Sequence, residues 1–120
     1  MSDLQCPATV VVLGPDADGE ALRAARPAAV YATPGALAAA GRLTRSLDVT
    51  LHELDVELAT RAELVRILDD LSDEYRGECV AVVVTSLNGL LPPGEEARAV
   101  VVEVDADGQR WSPLSGSTTR

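Results

Sequence analysis

The feature that most constrains this chain is a pair of short runs that are apolar on both faces. Ala8-Thr-Val-Val-Val-Leu13 and Cys79-Val-Ala-Val-Val-Val-Thr85 show almost no polar alternation. Neither can lie with one face in water. Such β-branched runs suit strands covered on both sides, the usual condition of parallel strands between helices.

The rest of the chain supplies the helices. The first run stops at Gly14-Pro15, a strong breaker. Asp18 is placed to cap a short helix through Ala25, which Pro27 ends. Ala28-Ala-Val-Tyr-Ala32 is a second buried strand. Thr33-Pro34 then predicts a helix start, a capping hydroxyl followed by proline at the first helical position. That helix should run to about Ser46, with Leu37, Ala40, Leu43 and Leu47 on one face. Val49 to Leu54 alternates weakly and predicts a third strand.

The clearest element is a helix from about Thr60 to Arg76. Thr60 and Glu63 have capping-box spacing, each side chain able to accept from the other's backbone N–H. Leu64, Ile67, Leu68, Leu71 and Tyr75 recur at three- and four-residue steps as one apolar stripe, and Gly77 closes the helix. After the second apolar run, Ser86 to Glu96 is a loop. Ala97 to Val104 and Gln109 to Ser112 then flank a turn at Asp105 to Gly108. The order β-α-β-α-β-α-β-β-β implies an α/β fold, a three-layer α/β/α sandwich. Its sheet should be mostly parallel with an antiparallel C-terminal edge strand. Residues 1–7 form an arm, 8–114 one domain and 115–120 a flexible tail.

Composition narrows the function. A chain of 120 residues, 47% hydrophobic, has room for one core and needs neither metal nor disulfides to hold it. Ten basic against 19 acidic residues leave a net charge of −9, which argues against nucleic acid and against an anionic membrane surface. No stretch approaches the roughly 20 apolar residues of a membrane span. Met1-Ser-Asp-Leu-Gln5 lacks the basic and apolar blocks of a secretory signal. A cytoplasmic protein with reduced thiols is expected. There is no lysine and no phenylalanine, and Tyr31, Tyr75 and Trp111 are the only aromatic rings besides His52. The core is therefore built from small side chains, with few platforms for stacking bases or sugars.

Several landmarks together resemble the histidine phosphatase superfamily, the phosphoglycerate mutase-like proteins. Val30-Tyr-Ala-Thr-Pro34 stands where that family has a second strand and its turn. Leu51-His-Glu-Leu-Asp55 stands at its acidic strand end. Leu68 to Val80 leads into Val82-Val-Val-Thr-Ser-Leu-Asn-Gly89 as its long helix leads into a strand ending Ser-His-Gly-Gly. The resemblance spans about residues 8 to 112.

The departures bear on function. Where the family's Arg-His-Gly is expected, the sequence gives Leu13-Gly-Pro15, so no histidine is there to accept a phosphoryl group. The phosphate-clamping arginine falls near Leu37, and the late histidine falls on Leu87. A phosphoryl dianion must be met by aligned positive charges or N–H donors, and these replacements remove them. The helical lid insertion is also absent, since only Val56-Glu-Leu-Ala59 separates Asp55 from the long helix. The resemblance therefore implies a scaffold without phosphatase or mutase activity, acting as a binding, accessory or structural subunit. It further implies that the strands after Cys6 and Cys79 lie side by side, bringing the two thiols near one another.

Two other functions stay open. One is an enzyme of altered chemistry at the carboxyl ends of the strands, with His52, Glu53 and Asp55 as residual catalytic candidates; one histidine alone lacks a second base or ligand set. The other is a Rossmann-like nucleotide-binding module, for which Leu13 to Gly19 lacks the glycine fingerprint and carries two carboxylates. Asp-Ala-Asp-Gly occurs twice, at 16–19 and 105–108, without the later oxygen ligands of a calcium loop. Neither metal nor cofactor is expected. Leu13, Gly14, Leu37, Leu87, Asn88, Leu90 and Leu91 are the candidate binding patch. They either expose an apolar surface to a protein partner or a second copy of the chain, or turn inward and fill the vacated pocket.

Overall fold

A computed structural model describes residues 7–15, 19–45, 47–58, 60–87, 90, 99–105 and 108–113. The expected Asp18 cap, the helix end at Ser46 and the tail after residue 114 lie outside them, as do Cys6, Asn88 and Leu91. In chain order the elements are β1 (Ala8–Leu13), α1 (Gly19–Ala25), β2 (Ala29–Ala32), a 3-10 turn (Pro34–Ala36) and α2 (Leu37–Leu43). There follow β3 (Thr50–Glu53), α3 (Arg61–Glu74), β4 (Cys79–Val83), β5 (Ala99–Asp105) and β6 (Gly108–Pro113). The alternation expected from sequence is present, as an α/β fold around one mixed sheet.

The six strands lie in the order β3-β2-β4-β1-β5-β6. β3, β2, β4 and β1 are mutually parallel, with Val10 beside Val80 and Val30 beside Ala81. β5 runs antiparallel to β1, and β6 antiparallel to β5. The C-terminal strand β6 thus lies at the edge of the sheet, antiparallel to its neighbour β5. Gly108, at φ 132°, begins it opposite Asp105.

Burial on both faces follows from the apolar runs. Val10, Val12, Val80, Val82, Val100 and Val102 join Leu64, Leu68 and Leu71 of α3 in one buried cluster. Their neighbours Val11, Leu13, Ala81 and Val83 join Leu22 of α1 and Ala36, Ala39 and Ala40 around α2 in another. The small alanines let α2 lie close on the sheet. In β5, Val100, Val102 and Val104 are buried while Val101, Glu103 and Asp105 are only half-buried. Arg110 on β6 pairs with Glu103 at 2.8 Å and with Asp105 at 3.2 Å on that wetter side.

α3 begins as expected. Thr60 N–H donates to Glu63 Oε1 at 3.1 Å, and Glu63 N–H donates to Thr60 Oγ1 at 3.2 Å. Gly77, at φ 77°, ends the helical path and donates its N–H to the Pro7 carbonyl at 3.2 Å. The hairpin is fastened to this helix by Gln109, whose Nε2 donates to Asp69 Oδ1 at 3.2 Å, and by Arg61 stacked over Trp111 at 4.8 Å.

The second helix differs from expectation at both ends. Thr33 has extended backbone, yet its hydroxyl makes no capping bond. α2 stops at Leu43: the Thr44 N–H and hydroxyl both donate to the Ala40 carbonyl at 2.9 Å, and the Arg45 N–H then turns to the Arg42 carbonyl at 3.4 Å, three residues back. No helix among the described residues is long and apolar enough to cross a membrane.

Candidate functional site at the carboxyl ends of the parallel strands

In open α/β sheets, ligands gather beyond the carboxyl ends of parallel strands, near the point where strand order reverses. Here β1, β4 and β2 end side by side. Val84 N–H donates to the Leu13 carbonyl at 2.8 Å, and Thr33 N–H to the Val83 carbonyl at 3.1 Å. Two unlike halves meet at this crevice.

The half over β2 and β4 is polar. Thr33 is 0% exposed, and its Oγ1 lies 3.3 Å from Thr85 Oγ1. Thr85 donates its hydroxyl proton to Glu57 Oε1 at 2.9 Å. The Thr33 hydroxyl also bears on the Glu57 carboxylate, so both threonines face the same charge. The other Glu57 oxygen, Oε2, accepts from the Gly35 backbone N–H. Glu57 thus satisfies an N–H of the first turn that a capping hydroxyl would ordinarily take, which is why Thr33 is free to face Thr85. The Thr85 hydroxyl first, and the Gly35 N–H next, hold the Glu57 carboxyl below the usual glutamate range. Among the described residues no guanidinium pairs with it; hydroxyl and amide donors alone meet the charge.

Gly35 is required by this arrangement. A Cβ there would stand 2.8 Å from Glu57 Oε2 and 2.9 Å from Thr85 Oγ1. The missing side chain leaves the space in which the carboxylate sits.

The half over β1 is hydrocarbon. Leu13, Gly14, Leu87 and Leu90 are buried, and Leu37 is half-buried. Leu90 N–H donates to the Leu87 carbonyl at 3.0 Å, a turn that points both leucines into the core. The described leucines of the candidate patch therefore fill space within the fold and present no exposed apolar face. Asn88 and Leu91 lie outside the described residues.

The residual catalytic candidates are not assembled. His52 stacks on Tyr31, with ring centroids 4.7 Å apart and planes 22° from parallel. Tyr31 also meets Tyr75 edge-on, their hydroxyls 3.0 Å apart. Burial, then the bond to Tyr75, pushes the Tyr31 hydroxyl well above its usual range, so it stays protonated. Glu53 is adjacent to His52 on one strand and so faces the other side of the sheet. Both Glu53 and Asp55 are exposed, and among the described residues neither hydrogen-bonds to His52. Nor do three His, Cys, Asp or Glu side chains gather as a metal site among those residues. Cys79 is a free, half-buried thiol whose pKa burial raises, which keeps it in the poorly nucleophilic protonated form.

The residues that do converge, Thr33, Gly35, Glu57 and Thr85, had each an ordinary sequence reading: a cap, a glycine in the helix start, a connector and a strand end. Their shared signal is two threonines closing two strands that prove to be neighbours, and that adjacency exists only once the sheet order is known. No family model, no curated protein and no solved structure matches the chain.

Proposed function

We propose that the chain is a non-catalytic domain built on a phosphoglycerate mutase-like three-layer scaffold without the lid. Its work, on this reading, is binding, accessory or structural, in the cytoplasm, with a protein partner or a second copy of itself. The observation that carries the proposal is the Glu57 carboxylate on the strand-end donors. A phosphomonoester needs positive charge and free N–H groups at that crevice. Here the chain's own Glu57 carboxylate, on an exposed residue, takes the Thr85 hydroxyl and the Gly35 amide, and its charge repels a second anion.

Two further observations support the scaffold. β1 pairs with β4 in parallel, the adjacency that the resemblance implies. Gly14, at the position of the family's nucleophile, has no side chain to offer, and Leu13 before it is buried hydrocarbon. The altered-chemistry alternative lacks an assembled group, because His52 is engaged by Tyr31 and set apart from Glu53.

The test is turnover of a panel of phosphomonoesters by the full chain. No hydrolysis above the uncatalysed rate is expected. Hydrolysis that disappears in His52→Ala or Glu53→Gln would overturn the proposal. Native mass measurement and affinity capture then address self-association and partner.

A further inference from the structure

We propose that Glu57 is a latch: its carboxylate holds the Leu54–Leu58 segment as a strap across the carboxyl ends of β2 and β4, and loss of its charge lets the strap lift. The device belongs to these residues and holds whether or not the scaffold descends from a phosphatase.

The strap is pinned at both ends and nearly free between them. Leu54 N–H donates to the Ala32 carbonyl at 2.7 Å, continuing the β2–β3 ladder by one residue. Leu58 is buried in the α3 cluster. Between these pins, Asp55 and Val56 make no hydrogen bond among the described residues, and Val56 is 53% exposed, the one large apolar side chain so placed among those residues. The middle of the strap is therefore held by a single side chain. Glu57 reaches from it to two strands at once, to Gly35 just after β2 and to Thr85 just after β4.

Two features make this a latch and not an ordinary surface bond. First, the receiving side is shaped for it: the absent Cβ of Gly35 leaves the volume that Oε2 occupies. Second, the bonds depend on charge. Both partners are donors, so the ionised carboxylate suits them with both oxygens. A protonated carboxyl would set an O–H against one of those donors and give up a charge-assisted bond. The groups facing Glu57 are the Thr33 and Thr85 hydroxyls and the Gly35 amide; the nearby charges on its own segment, Glu53 and Asp55, are exposed carboxylates. No described cation opposes release when the proton arrives. Lifting the strap uncovers the Thr33 and Thr85 hydroxyls and loosens Leu58 at its far end.

The experiment is amide hydrogen exchange on the isotopically labelled full chain, with Glu57→Gln and Gly35→Ala as variants. Gly35→Ala acts by displacing the carboxylate while leaving Glu57 in place. In both variants the residue-35 amide should lose protection, on the order of tenfold for one charge-assisted bond, while the Val82 amide in the sheet keeps its protection. Equal protection of residue 35 in the parent and both variants would overturn the latch, as would free exchange of Gly35 in the parent. A pH titration of the parent alone covers the case of variants that do not fold. The Gly35 amide shift should follow the Glu57 carboxyl with one midpoint, below the usual glutamate range. Independent midpoints contradict the proposal.

Discussion

The two halves of the strand-end crevice have been closed by opposite means. Over β1, Leu13, Leu87 and Leu90 pack as core. Over β2 and β4, a carboxylate is received by hydroxyls and an amide. Hydrocarbon closes a gap by excluding water and is indifferent to pH. A carboxylate closes it by satisfying donors that the backbone leaves at a helix start, and only while ionised. The β1 half should therefore supply most of the stability and the Glu57 half most of the response to acid.

Leu13→Ala tests the β1 half with the largest effect. Removing a fully buried leucine should cost about 2–5 kcal/mol, read as a fall in denaturant midpoint with unchanged slope. A loss below that range would mean the site collapses readily and is not packed as core. Thr33→Val follows. It keeps the buried shape but removes the hydroxyl that faces Thr85 and Glu57, and should cost roughly 0.5–1.5 kcal/mol, with the Thr85 hydroxyl still on Glu57. Thr60→Ala belongs outside the crevice and calibrates it: loss of a capping box typically costs about 1 kcal/mol, without altering the acid response.

Glu57→Gln should alter the pH dependence more than the neutral stability. The folded carboxyl titrates below its unfolded value, so its contribution is present above the unfolded range and is lost as pH falls through the folded pKa. Stability of the parent should decline on acidification more steeply than that of Glu57→Gln, as chemical denaturation at stepped pH reads out. Parallel curves would remove the distinction between the halves. Arg110→Ala closes the series, because its pairs with Glu103 and Asp105 are exposed and surface pairs contribute little. Its midpoint should match the parent, and weaken no further in salt.

Much of the scaffold was legible because its signals are local. The double-faced apolar runs marked β1 and β4, and Thr60 with Glu63 marked the start of α3. The errors arose where a distant group competes with a local one. Thr33 looks like a cap from its neighbours alone, but Glu57 arrives from the segment after the neighbouring strand β3 and takes the amide. His52 drew a catalytic reading as the lone imidazole, when its partner is the Tyr31 ring beside it.

The most direct measurement is a titration of the labelled chain with a phosphomonoester, watching the Gly14, Gly35 and Thr85 amides at neutral pH. With the crevice closed by leucine on one side and by its own carboxylate on the other, those three resonances should stay in place to millimolar ligand. Saturable movement of all three, accompanied by release of phosphate, would contradict the account.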